Sequence, residues 1–171
     1  YAHLSTHTHG IILAMSLDAI DRQILNILQQ DGRVTNVELA GRVGLTPGPT
    51  LARVNKLEAA GYLTGYVGLV DREKLGLSVT VIVAVSLRSH TSETNAAFLK
   101  AVAELPEIIE VHHVAGDDDF LLKVVAASPR DYEQFVLEKL TAVADLQRVK
   151  STFVLSSPKS TTAIPIPEVE S

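Results

Sequence analysis

Three amphipathic stretches follow one another in the first part of the chain. Leu17, Ile20, Ile24, Ile27 and Leu28 recur at three- and four-residue spacing, one stripe of a helix over Asp18 to Gln30. Asp31-Gly32 ends it, because Gly adopts a left-handed turn without a Cβ clash. Thr35 and Glu38 have capping-box spacing for a second helix, which carries Val37, Leu39, Ala40 and Val43 and stops at Gly44. Thr46 caps a third, with Pro47 at its first position, where a missing N–H leaves nothing unsatisfied. Leu51, Val54 and Leu57 are its predicted buried stripe, and Gly61 ends it.

The pattern then changes period. Gly65 to Val70 reads as extended and Asp71 to Gly76 as a turn, which together with Leu77 make a linking strand and turn over 65–77. Val79, Val81, Val83, Val85 and Leu87 alternate with smaller or more polar residues, a strand. Ser92 to Glu104 reads as a helix with Ala97, Phe98, Ala101, Val102 and Leu105 inward, and Pro106 closes it. Glu107 to Val114 and Asp119 to Ala127 are strands around a tight turn. Ser128-Pro129 opens a helix with Tyr132, Phe135, Val136 and Leu140 inward, and Leu146 to Leu155 is the last strand. Strand, helix, strand, strand, helix, strand is the split βαβ, ferredoxin-like order. Such a sheet carries both helices on one face, so its other face is expected to be covered by a second copy in a dimer.

The predicted class is α+β: a three-helix unit over 16–64, the linker, and a βαββαβ, ferredoxin-like domain over 78–156. The segment 157–171, rich in Ser, Thr and Pro, is expected to be a mobile tail. Residues 1–15 fit nothing downstream and read as a non-native or disordered extension. The only Met, Met15, stands before the first helix as the expected natural start. His3, His7 and His9 in that stretch could bind a metal ion, although a flexible tail is the plainer reading.

Apolar residues make up 46% of the chain and charged ones 20%, enough for a packed core. The net charge of −5 excludes a general nucleic-acid glue, but the charge is uneven. Leu17 to Thr64 holds five basic and five acidic residues, so the acidic excess lies elsewhere and the first unit can still meet phosphates if its cations share a face. There is no Cys, hence no disulfide and no thiolate metal site, which suits a reducing compartment. No apolar run approaches the roughly 20 residues that span a bilayer, so no membrane partner is expected.

The second and third helices have the layout of a helix-turn-helix whose second helix enters a DNA major groove. Off the predicted stripe lie Thr46, Thr50, Arg53, Asn55 and Lys56. Thr46 and Thr50 suit phosphates or a thymine methyl, Arg53 a guanine or a phosphate, and Lys56 a phosphate. Arg33 and Arg42 could hold the flanking backbone. An ordinary helical bundle with a solvated face is the plainer alternative.

Taken together, LDAIDRQILNILQQDGR, VELAGRVGLTPGPTLARVNKLEAAGYLTGY and EVHHVAGDDDFLLK resemble the Lrp/AsnC (feast/famine) transcriptional regulators, over about Leu17 to Leu155. The resemblance implies a winged helix-turn-helix, a linking strand and an ACT-like sensing domain. It also implies dimers that assemble further, up to octamers, with a small molecule, typically an amino acid, bound between dimers. By resemblance Gly116, Asp117, Asp119 and Phe120 match the family's effector turn, Asp118 holds its variable position, and His112 borders the site. The recognition helix departs from the family, which often carries more Arg where this chain has Gly48, Ala52 and Asn55. Base preference therefore does not carry over.

Chemistry supports the turn independently. A carboxylate there can hold an amino acid's ammonium, and backbone N–H groups its carboxylate, although a structural hairpin alone would also account for Gly and Asp. His112 and His113 face opposite sides of a strand and cannot easily share one ion. Ser151 and Thr152 could lend a hydroxyl, and Thr152 joins the candidate effector set. No nucleophile elbow, phosphate-cradling Gly loop or helical His pair is present, so neither an enzyme nor a cofactor is expected. The expected protein is a cytoplasmic, nucleoid-associated regulator with three partners: double-stranded DNA, a small-molecule effector and further copies of itself. The competing class is a ligand-binding or metabolic module whose helical unit mediates protein contacts.

Overall fold

The computed structural model describes residues 16–143 and 145–168. The expected extension and the start at Met15 lie outside them. The chain divides into two compact units. One holds the described residues up to Gly68 together with those from Ser160 onward, and the other spans Leu69–Lys159.

In the first unit α1 (Ala19–Leu28), α2 (Asn36–Val43) and α3 (Pro47–Ala59) follow the predicted order. Local chemistry sets their ends. Asp18 and Asp21 form a capping box on α1, each carboxylate accepting from the other's backbone N–H at 2.8 and 3.3 Å. Thr35 and Glu38 do the same for α2, and Gly44 closes it at φ 71°, a left-handed conformation that only Gly adopts cheaply. Thr46 occupies the N-cap of α3, but its side chain makes no capping bond.

Ile24, Leu25, Leu28, Leu39, Val43 and Leu57 are the buried core of this unit, with Ile20, Ile27 and Val54 partly buried around it. Val54 and Leu57 of the predicted α3 stripe face the core, but Thr50 takes the place expected for Leu51. Leu51 is 50% exposed, while Thr50 is fully buried. The Thr50 hydroxyl donates to the Thr46 carbonyl at 2.9 Å, which satisfies it and leaves its methyl to pack.

The tail, expected to be mobile, lies on this unit. Gln29 holds the backbone of Ile164 through both its amide groups at 2.9 Å, and Arg22 Nε donates to the Pro167 carbonyl at 2.9 Å. Ile166 packs against the helical core. Two prolines lower the entropy lost on ordering the segment, and composition alone concealed the apolar contact. The expected linking strand is not formed: residues 63–70 join no sheet among the described residues. Tyr66 bonds Glu58 at 3.0 Å, and Val67 stands exposed.

The second unit is β1 (Val79–Leu87), α4 (Ser92–Ala103), β2 (Ile108–His113), β3 (Phe120–Ala126), α5 (Pro129–Glu138) and β4 (Leu146–Phe153). The sheet is antiparallel in the order β2-β3-β1-β4, as the ferredoxin-like reading requires. Val81, Val83, Val85 and Leu87 point to the helices and pack with Phe98 and Val102 of α4 and Tyr132 and Phe135 of α5. Ala97, expected inward, is exposed. The opposite face carries Thr80, Ile82, Ala84 and Ser86; Arg72 bonds Thr80 at one end, Asp118 and Arg148 bond Ser86 at the other, and no helix packs on it among the described residues.

Candidate nucleic-acid interface and effector turn

The inward face of α3 is Thr50 and Leu57, both buried, with Arg53 and Val54 partly buried between them, the i, i+3, i+4, i+7 spacing of one helix face. Arg53 belongs to it because α1 supplies its counter-charges. Its Nη1 donates to Asp18 Oδ2 at 2.7 Å and to Asp21 Oδ1 at 2.6 Å. Asp21 is only 4% exposed, so this contact neutralises a carboxylate that would otherwise be stranded. The same two carboxylates cap α1, so one cluster joins the start of α1 to the middle of α3. The Asp21 backbone N–H, followed by Arg53, holds the Asp18 carboxyl below the usual aspartate range, and the two carboxylates raise Arg53.

Two of the seven expected DNA contacts therefore turn away from solvent: Thr50 is buried and Arg53 is bound to α1. The other five, Arg33, Arg42, Thr46, Asn55 and Lys56, are exposed, and Arg33, Arg42 and Lys56 form no ion pair among the described residues. Asn36 Nδ2 donates to the Pro47 carbonyl at 2.8 Å and ties the start of α2 to the start of α3. The residue missed by the sequence reading is Leu51, whose hydrophobicity suggested burial. The satisfied hydroxyl of Thr50 and the paired charge of Arg53 let those two polar residues take the inward places beside Val54 and Leu57, which leaves Leu51 half-exposed.

At the end of the sheet, the turn between β2 and β3 sorts its three carboxylates by partner. Asp119 Oδ2 accepts the Leu87 N–H at 2.7 Å, and its Oδ1 faces His90 Nδ1 at 3.1 Å. Asp118 pairs with Arg148 at 2.7 Å and accepts from Ser86 at 3.1 Å. The Asp117 carbonyl accepts from Arg148 at 3.0 Å, while its side chain is exposed and carries no hydrogen bond or ion pair among the described residues. Separate partners for Asp118 and Asp119 lower the repulsion among the three adjacent carboxylates.

The remaining expected effector residues scatter. Phe120 is fully buried, between Phe98 at 4.6 Å and His113 at 4.9 Å, and cannot line a pocket within the chain. Gly116 is exposed beside Asp117. His112 is on edge strand β2 and pairs with Glu110 at 3.3 Å. Thr152 is on the other edge strand, β4, opposite Ile82 of β1. Two strands separate them, about 14 Å, too far to share one small ligand within one chain. Ser151 turns the other way and bonds the Tyr132 hydroxyl. No group of three metal-ligating side chains occurs among the described residues, and no helix among them is long and apolar enough to cross a membrane.

A helix-turn-helix with surface cations that form no ion pair among the described residues, followed by a sheet with both helices on one face and a polar turn, is the layout of a two-domain DNA-binding regulator. Residues 17–64 match the winged helix-turn-helix DNA-binding family, and residues 80–164 match the Lrp/AsnC ligand binding domain. The chain belongs to the Lrp/AsnC family of transcriptional regulators. It is 38% identical to the leucine-responsive regulatory protein of Rhizobium meliloti, over 91% of this chain and all of that one. It is also 38% identical to the DNA-binding transcriptional activator DecR of Escherichia coli, over 88% of this chain and 99% of that one. Among solved structures, a Neisseria meningitidis transcriptional regulator in complex with L-methionine superposes with a TM-score of 0.84. It is 35% identical and covers 88% of this chain and 97% of its own. A feast or famine regulatory protein of Mycobacterium tuberculosis, also complexed with L-methionine, gives 0.77 at 30% identity, covering 87% of this chain and 99% of its own.

Proposed function

We propose that this regulator is controlled by an amino acid or closely related small molecule bound at the Gly116–Asp119 turn of its second unit. The carrying observation is the pairing, in one chain, of a DNA-binding unit with a ligand-binding unit whose solved relatives hold L-methionine. In this turn Asp117 is the carboxylate without a partner, so it would receive the ligand's ammonium, while Asp119 keeps the hairpin fixed to Leu87. His112 and Thr152 would join the same site only from different copies, so the effector pocket would be completed by assembly.

The working form is a homodimer that associates further, in the cytoplasm and on the nucleoid. It presents two recognition helices to a two-fold DNA site. Arg33, Arg42, Thr46, Asn55 and Lys56 meet the DNA, while Thr50 and Arg53 hold the helix in place. It needs no cofactor and performs no catalysis of its own.

The test combines gel-shift binding to the upstream region of its own gene with sedimentation, each across a panel of the twenty amino acids. A shift in affinity or assembly with one or a few of them is expected. A full panel that alters neither removes the sensing claim and leaves a ligand-independent DNA binder. The ligand can act only through unequal affinity for two assemblies, so its effect on assembly and on DNA must run together.

A further inference from the structure

We propose that the recognition helix reads A·T pairs mainly through thymine methyl groups, with Leu51 as the reading side chain and Asn55 as its central hydrogen-bonding partner for a base. This rests on the DNA-binding reading above and deepens it. With Thr50, Arg53, Val54 and Leu57 turned inward, a 100° step per residue sets Gly48, Ala52, Asn55 and Ala59 along the outermost line of α3. Leu51 flanks that line on one side and Lys56 on the other. All six are exposed, and Leu51 is half-exposed although it is a large apolar side chain.

The chemistry of that face is narrow. Guanine is commonly read by a bidentate Arg or Lys, and the only Arg on α3 is held by two carboxylates of α1. Lys56, on the flank, matches a phosphate. Gly48, Ala52 and Ala59 have no donor, and their small size lets the helix axis approach the base edges closely. Asn55 can make the paired contact to adenine N6 and N7. Leu51 can bury the one apolar group on the major-groove floor, the 5-methyl of thymine. Leaving Leu51 in water would waste apolar area that no contact in the described chain covers.

The experiment selects duplexes from a random-sequence pool with the intact protein, then replaces thymine by deoxyuridine one position at a time. Deoxyuridine keeps every pairing and groove hydrogen bond and deletes only the methyl. The expected result is a loss of about fourfold in affinity at one or two thymines per half-site, the worth of one buried methyl. The Leu51→Ala variant should melt like wild type, bind the thymine duplex more weakly, and lose the discrimination at those same positions. The proposal is overturned if no thymine is sensitive, or if Leu51→Ala keeps the full pattern. If the wild-type protein enriches no sequence at all, the DNA-binding reading fails first, and that outcome is distinct.

Discussion

Arg53 sits on a recognition helix yet serves the scaffold. Removing it leaves Asp21 nearly buried without its charge partner, so Arg53→Ala should destabilise the first unit by about 2–3 kcal/mol. Urea unfolding measures this, and a loss under about 0.5 kcal/mol would show that the cluster does little. Lys56→Ala provides the contrast. It should leave the urea midpoint unchanged and reduce the salt slope of DNA binding by about one phosphate contact. The second unit has the same division of labour: Asp117→Asn should abolish a response to amino acids while melting normally, because its side chain carries no internal contact. Asp119→Ala should lower the melting temperature, since the Leu87 N–H loses its acceptor. Equal melting of the two variants would contradict this assignment. At this scale the sequence was least legible. Thr50 and Arg53 carry polar labels, and their partners are four and thirty-two to thirty-five residues away.

Elements were far more legible, because their causes are local. Both capping boxes, the Gly44 stop and the strand alternation of β1 need only neighbours within a few residues. Those boxes also give the first unit a pH dependence. Backbone N–H groups lower the carboxyls of Asp18 and Glu38 below their ordinary values, helped by Arg53 and by the Thr35 hydroxyl. A carboxyl depressed in the folded state adds stability that is fully present above its unfolded value and disappears as pH falls through the folded one. Unfolding free energy should therefore be level near neutrality and fall below about pH 4, and Asp18→Asn should flatten that fall. Denaturant melts between pH 7 and pH 3 decide it; an unchanged acid limb in Asp18→Asn would assign the dependence elsewhere. The tail is the element that composition misjudged. Its bonds to Gln29 and Arg22 and the packing of Ile166 bring it onto α1, and no local signal announces a contact 135 residues away. Ending the chain at Lys159 should lower the stability of the first unit by about 1–2 kcal/mol.

The order of elements made the sheet's topology legible in advance, whereas the dimer proposed for its second face is tested only in solution. Along β1 that face is Thr80, Ile82, Ala84 and Ser86. Register sets Lys123 and Thr152 beside Ile82, and Leu121 and Lys150 beside Ala84. Glu110 neutralises Lys123 at 2.6 Å, which leaves Lys150 as the cation without an ion pair at the centre of the face among the described residues, beside the apolar Ile82, Ala84 and Leu121 that a second identical face could meet around a two-fold axis. Ile82 points away from the helices, so Ile82→Asp should fold with an unchanged melting profile at low protein concentration. In sedimentation it should be monomeric at concentrations where wild type is paired. Its DNA affinity should drop by about a hundredfold or more, because the second recognition helix no longer arrives at an effective millimolar concentration. The first unit makes that dependence severe: with equal numbers of basic and acidic residues over Leu17 to Thr64, one copy has little general attraction to phosphates. If Ile82→Asp remained dimeric, pairing would have to run through another surface, and the exposed run of Tyr66, Val67, Leu69 and Val70 would become the first place to substitute.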